Sequence, residues 1–184
     1  MLKVLKQAYV PHNASIDKID RLVGNIMLEN YISFSDDEIT PNCRGSMKAL
    51  YIITKVKNCT LPKVLIDNGS SLNVMPLSTL MRLPVGRSYM KHSRTIVMAF
   101  DGTKRKVTRE IEIVVQIGPC TFNIEFQVMD ISPSYDYLLG RPWIHMTRAV
   151  PSTLHQKIKF VTEGQLVSVA SEEDCYHFIK SLLC

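Results

Sequence analysis

Hydrophobic residues follow two rhythms along this 184-residue chain. Behind Ser15, a good N-cap, Ile16, Ile19, Leu22, Val23 and Ile26 recur at steps of three and four, which predicts an amphipathic helix. Ser35-Asp36-Asp37-Glu38 reads as an acidic turn, and Thr40-Pro41-Asn42 with Gly45 reads as a linker. Beyond it the step falls to two. Leu50, Ile52 and the Thr54–Val56 region alternate like a half-buried strand. Residues 63–66 form a second apolar run. Residues 94–100 and 106–117 flank Asp101-Gly102, a good hairpin pair. Gly118-Pro119 makes a turn into 121–129, where Phe122, Ile124, Phe126 and Val128 share one face. A short apolar strand follows at 137–139, then a hairpin of 157–161 and 166–169 about Glu163-Gly164. Pro76 and Pro142 are placed to open short helices, the first through Leu80 and Met81, the second at Trp143-Ile144-His145.

Many short strands joined by Gly and Pro turns imply a small barrel or sandwich. The pattern divides the chain into a helical arm and linker over 1–46, a β domain over 47–170 and a tail over 171–184. It further predicts one barrel running from about Met47 to Val169. There is no internal repeat and no low-complexity segment.

Composition narrows the class. Hydrophobic residues make up 46% and charged residues 21%, as in one ordinary globular domain with an appended arm. The net charge is +5, with basic residues at Arg82, Arg87, Lys91, Arg94, Lys104, Arg105, Lys106 and Arg109. They straddle a predicted turn and interleave no aromatics, so a solvated hairpin face is expected rather than a nucleic-acid surface. Five cysteines (Cys43, Cys59, Cys120, Cys175 and Cys184) show no zinc spacing. They are expected to be free thiols in a reducing, cytoplasmic setting, with no metal and no cofactor. Lys3 and Lys6 are followed by no long apolar run, and no stretch suits a membrane. The glycosylation patterns at Asn13, Asn58 and Asn68 then read as chance matches.

The densest chemistry lies at Val64-Leu65-Ile66-Asp67-Asn68-Gly69-Ser70-Ser71. A buried strand delivers one carboxylate to a tight, small-residue turn. Asn68 and Gly69 both tolerate positive φ, which would let the backbone turn cheaply. The hydroxyls of Ser70 and Ser71 can bond the turn or a carboxylate. Taken alone, an Asx-Gly after a strand is an ordinary turn.

Two further motifs change that picture: Ala99-Phe100-Asp101-Gly102-Thr103 and Tyr137-Leu138-Leu139-Gly140-Arg141-Pro142-Trp143. An acid turn, a glycine-tipped hairpin and an apolar-apolar-Gly string, in that order, resemble the retropepsin-like aspartic proteases. The match is closer still to the protease segment of plant Ty3/gypsy-type retrotransposon Gag-Pol polyproteins. There, strings like Asp67 to Pro76, Ala99 to Gly102 and Leu138 to His145 recur. The runs Pro151 to Phe160 and Asp20 to Asn25 look like the same source, so the resemblance spans nearly the whole chain.

The resemblance implies a mainly β fold, a retropepsin-like closed barrel with a helical N-terminal arm. It implies an aspartic endopeptidase that works as a homodimer and cleaves its own polyprotein. Asp67 would be catalytic, in an active-site turn with Asn68, Gly69 and Ser70. Phe100, Asp101, Gly102 and Thr103 would form a flap; by pattern alone they are equally a surface hairpin. Leu138, Leu139 and Gly140 would form the strand under the catalytic loop. His145 and His155 receive no role, and Trp143 reads as core.

Two departures from the family stand out. The residue after the acid is usually Thr or Ser, whose hydroxyl bonds across the dimer axis; here it is Asn68. A second acid often pairs with the Arg of the later Gly-Arg; that place is Ser71, so Arg141 is expected to lack its usual partner. These departures keep a second reading open, a decayed or co-opted module that dimerises or binds peptides. No integrase or reverse-transcriptase motif is present, and the chain looks like a piece of a longer polyprotein.

Overall fold

The computed structural model describes residues 32–39, 48–86, 90–93, 96–98 and 104–171. The helix expected at 16–26, the linker at 40–46, the flap residues Phe100 to Thr103 and the tail after Ser171 lie outside the described residues, as do Cys43, Cys175 and Cys184.

The alternating stretches become strands where the pattern places them. β1 (Leu50–Val56) and β2 (Cys59–Ile66) form an antiparallel hairpin about Lys57-Asn58, with Val56 opposite Cys59. Leu50, Ile52, Thr54 and Val56 point inward and are buried. β2 starts earlier than the apolar run alone predicts, because pairing with β1 recruits Cys59 to Pro62. β3 (Val74–Pro76) leads into α1 (Leu77–Arg82). β4 (Lys91–His92) and β5 (Ile96–Met98) both pair with the long β6 (Lys104–Ile117). β6 turns at Gly118, where φ is +58°, into β7 (Cys120–Met129). Along these two strands Ile111, Ile113, Val115 and Ile117 meet Ile124, Phe126 and Val128 in the core, while Glu112, Val114 and Gln116 face out.

The sheet order β1-β2-β8-β3-β7-β6, with β6 returning to β1, closes a six-stranded barrel. Closure runs through Thr54 opposite Ile117 and Lys55 opposite Gln116. β8 (Tyr137–Leu139) lies parallel to β2, and β3 lies parallel to β7. Inside the barrel, Tyr137 is fully buried and its hydroxyl shares a hydrogen bond with Thr54. Burial pushes the Tyr137 phenol well up, and the bond from Thr54 works against that push. Among the described residues the fold is mainly β with few helices.

The barrel does not extend to Val169. After α2 (Arg141–Thr147), β9 (Val150–Ser152), β10 (Lys157–Thr162) and β11 (Gln165–Ala170) build their own three-stranded sheet. Glu163 and Gly164, at φ +50° and +71°, make the β10–β11 turn. Both have the positive φ that a two-residue hairpin needs. This sheet meets the barrel through an aromatic cluster. Phe122 on β7, Trp143 on α2 and Phe160 on β10 pack edge to face with centroids 5.8–6.2 Å apart. Such pairs add about 0.5–1.5 kcal/mol each beyond the area they bury. His155, buried beside this sheet, shares a 2.8 Å hydrogen bond with Ser152.

The acidic turn at Ser35 is real and has a partner. Ser35 caps a 3-10 turn (Asp36–Glu38) in a capping box. Glu38 then reaches β10, 2.6 Å from Lys159 Nζ and 3.4 Å from Lys157 Nζ. Lys159, itself buried, also donates to Ser33 O at 2.8 Å and lies over the Phe34 ring. The segment 32–39 is therefore fastened to the second sheet. Among the described residues no helix is long and apolar enough to cross a membrane.

The hydrogen bond from Lys159, then the Ser35 backbone N–H, lowers the Glu38 carboxyl from 4.5 to about 2. A carboxyl depressed on folding adds stability that is full above its unfolded value and is lost as pH falls through its folded value. Glu38→Gln is expected to lower the unfolding midpoint at pH 6. The gap from wild type should shrink below pH 4.5 and vanish near pH 2. Parallel thermal melts across that range test it; a gap independent of pH would show that the ion pair contributes nothing.

Candidate active site

β2 ends at Ile66, and Asp67 is the first residue beyond it. Its position is set by the backbone of β8. Leu65 and Ile66 register against Leu138 and Leu139, and Asp67 N–H donates to Leu139 O at 3.0 Å. The chain then turns, with Ser70 N–H donating to Asp67 O at 3.3 Å. Asp67 is half-buried, while Asn68 and Gly69 are exposed. The carboxylate Oδ1 accepts the Gly69 N–H at 2.8 Å.

Neither Asn68 nor Gly69 has a positive φ, so the conformational reason expected for this pair is not the operative one. Gly69 matters through space instead. A Cβ there would sit 3.1 Å from Asp67 Oδ1, crowding the bond between its own N–H and that oxygen. Ser70, half-buried, closes the turn: its Oγ donates to Leu72 O at 2.9 Å and accepts from Leu72 N–H at 3.3 Å. Ser71 is exposed.

Leu138, Leu139 and Gly140 lie against this turn. Gly140 approaches it so closely that a Cβ would fall 2.2 Å from Leu72 O and 2.8 Å from Ser70 O. Only glycine fits there. Arg141 N–H donates to Ser70 O at 2.9 Å, and the guanidinium Nε donates to the same oxygen at 3.4 Å. No carboxylate among the described residues forms an ion pair with Arg141.

Two participants escaped sequence reasoning. Asn73, 5% exposed, is the polar hub behind the turn. Its Oδ1 accepts from Gly140 N–H at 3.0 Å, its Nδ2 donates to Glu125 O at 3.0 Å, and its own C=O accepts from Gln127 N–H at 2.9 Å. The available signal was an Asn inside the apolar run Leu72 to Met75. The second is Tyr135. Burial first, then the charge of Asp67, pushes its phenol up. It packs with Leu65, Leu72 and Ile131 on a small apolar cluster centred on Val74, Val107, Met129 and Leu138. No local pattern marks Tyr135; its role depends on the 130–136 loop folding back beside the acid. That loop is held by Asp136, which exchanges backbone and side-chain bonds with Lys63 and pairs with Arg82 at 2.9 Å.

The site thus offers one carboxylate on a backbone-fixed turn, beside an apolar wall. Among the described residues no three His, Cys, Asp or Glu side chains gather as a metal site. Cys59 and Cys120 are free thiols.

No protein-family model and no curated protein sequence matches the chain. Solved structures do. The retroviral protease-like domain of Ddi1 from Leishmania major superimposes with a TM-score of 0.53 at 15% identity, over 68% of this chain and 94% of that one. EIAV protease complexed with the inhibitor HBY-793 gives 0.48 at 20% identity, over 58% and 94%. A retropepsin-like aspartic protease from Rickettsia conorii gives 0.40 at 21% identity, over 65% and 80%. The first of these likenesses identifies the fold: the barrel is of the retropepsin-like kind.

Gly140→Ala is expected to cost about 3 kcal/mol, because backbone atoms, not a movable side chain, stand where the Cβ must go. Gly164→Ala, strained only by its φ of +71° with open space around it, should cost about 1–2 kcal/mol. Urea unfolding of both variants checks the order. Equal costs would mean that the close approach at Gly140 is not a real constraint.

Proposed function

We propose that this chain is one half of an aspartic endopeptidase, with Asp67 as its catalytic acid. The observation that carries the reading is Asp67 at the mouth of a retropepsin-like barrel, fixed by Leu139 O and the Gly69 N–H. Its Oδ2 makes no hydrogen bond among the described residues and is open to a water or a second carboxylate. One chain with one acid turn supplies half a dyad. A two-fold homodimer supplies the other half.

Two carboxyls about 3 Å apart share a single proton. In the reaction the ionised carboxylate takes a proton from water as the water oxygen bonds to the scissile carbonyl carbon. The protonated carboxyl gives its proton to the carbonyl oxygen. Collapse of the adduct breaks the C–N bond, and the amine nitrogen leaves with a proton. No cofactor enters. In this reading Phe100, Asp101, Gly102 and Thr103 close over the substrate as a flap. Asn68, Gly69 and Ser70 form the active-site turn, and Leu138, Leu139 and Gly140 support it. Residues 47–170 are the protease domain, 1–46 its arm and 171–184 a tail. Following the sequence resemblance, the source is a plant Ty3/gypsy-type element, the substrate its own Gag-Pol polyprotein, and the setting cytoplasmic.

A second reading has one observation in its favour. Asn68, exposed, stands where the resembling family usually carries Thr or Ser, so a side-chain hydroxyl is lacking at that position. A barrel that dimerises or binds peptides without cutting them would keep everything else.

A peptide-library cleavage assay separates the two. Wild type should cut, faster than linearly with protein concentration and best at acidic pH, where the pair retains its shared proton. Asp67→Asn should abolish cutting. Cleavage that survives Asp67→Asn, or full activity in a demonstrated monomer, would exclude the mechanism. Asn68→Thr is expected to restore two symmetric bonds of about 0.5–1.5 kcal/mol each and tighten the dimer by roughly an order of magnitude. An inactive wild type rescued by this change would support the decayed reading. No effect on dimerisation or cleavage would show Asn68 to be a turn residue only.

A further inference from the structure

The sheet of β9, β10 and β11 has two faces. On one, Ile158, Phe160 and Val167 are buried in the common core. On the other, strand register sets Val150 and Ser168 beside Lys159, and Leu166 opposite Val161. Part of this outer face is already covered. Lys159 Nζ donates to Ser33 O, pairs with Glu38 and lies over the Phe34 ring, and Lys157 reaches Glu38 as well. Toward the β10–β11 turn the cover ends. Val150 is 41% exposed and Leu166 40%, with Val161 half-buried beside them. Val161 lies directly across from Leu166 and diagonally next to Val150, spacings of about 5 Å and 7–8 Å. The three side chains thus make one apolar strip across three strands.

The chain that leads into this face carries a matching element. Only residues 27–31 separate Ile32 from the helix that the sequence predicts over 16–26. Extended, they span up to about 17 Å. The strip begins one ladder step from Lys159, where Ser33 is tied, so the helix is within reach of it. The helix would be about 16 Å long, enough to cross three strands. At that length a helix is marginal in water by itself and gains its stability by burying an apolar stripe. Ile16, Ile19, Leu22, Val23 and Ile26 supply the stripe, while Asp17, Lys18 and Arg21 fall on the other side.

We propose that the 16–26 helix folds back on its own chain and packs its stripe on Val150, Val161 and Leu166, continuing the cover that residues 32–39 begin. The occupant is the chain's own arm rather than a second copy because of the tether. A short linker gives an effective concentration in the millimolar range, which a separate chain matches only at that protein concentration. The docking stands whether or not the chain cuts peptides, since it uses nothing of the Asp67 site.

Methyl NMR on the full chain tests this. Nuclear Overhauser cross-peaks are expected from Leu22, Val23 or Ile26 to Val150, Val161 or Leu166. In Leu22→Asp/Val23→Asp they should be lost, and the Val150, Val161 and Leu166 methyl signals should shift. The cross-peak between Ile113 and Ile124, opposite each other in the barrel, should persist and show the variant folded. Asp17→Asn/Lys18→Gln, on the other side of the helix, should leave the cross-peaks in place. Their absence from the wild type would overturn the proposal. So would strip methyls that do not respond to Leu22→Asp/Val23→Asp. Cross-peaks found only between differently labelled copies would overturn it too, by making a second chain the occupant.

Discussion

The geometry of the site depends on how closely Gly140 approaches the chain at Leu72. At that point two backbones pass with no room for a side chain between them. The contact lets Arg141 N–H reach Ser70 O and lets Gly140 N–H reach Asn73 Oδ1. It also sets where α2 begins, since Gly140 is its N-cap. From α2 the constraint passes through Trp143 to Phe122 and Phe160, and so to the second sheet. One missing methyl thus positions the acid turn on one side and an aromatic core on the other.

Asp67 itself is held almost wholly by main-chain bonds. The acceptor at Leu139 and the donor at Gly69 are backbone atoms. The side chains that do participate, Ser70 and Asn73, bond backbone rather than the carboxylate. This arrangement keeps the carboxylate rigid while leaving one of its oxygens uncommitted. A carboxylate locked in an ion pair would hold its position equally well but could not exchange a proton. The neighbouring Tyr135 phenol, raised first by burial, also senses the charge of Asp67.

Most strands were legible in the sequence because they alternate cleanly and their turns carry Gly or paired turn residues; that they close into a barrel rather than a sandwich was implied by the family resemblance, and β3 carried no strand signal. Tyr137-Leu138-Leu139 was legible because three consecutive apolar residues suit a short strand between neighbours. What could not be read was any feature whose reason lies far along the chain. β9, with Pro151 in its middle, has no strand pattern and forms because β10 pairs with it. Glu38 read only as part of an acidic turn; its partner, Lys159, lies 121 positions away. Asn73 received no reading of its own, yet it satisfies groups on β7 and before α2. At Gly69 the expected positive φ is absent, and what a side chain there would meet is Asp67 Oδ1, 3.1 Å from its Cβ.

The parallel pairing of β2 with β8 has a consequence for how the molecule is made. Lys63 and Asp136, which anchor that pairing, are 73 residues apart. At a synthesis rate of roughly 5–20 residues per second, β2 waits about 4–15 s for its neighbour to emerge. During that interval one edge of an apolar strand has nothing to pair with, the condition under which nascent chains associate wrongly. The β6–β7 hairpin, with its local contacts, can form at once; the acid turn is fixed only later, because the carbonyl that holds Asp67 belongs to the barrel's last strand. The fixing of Asp67 therefore waits until the barrel's last strand has been made.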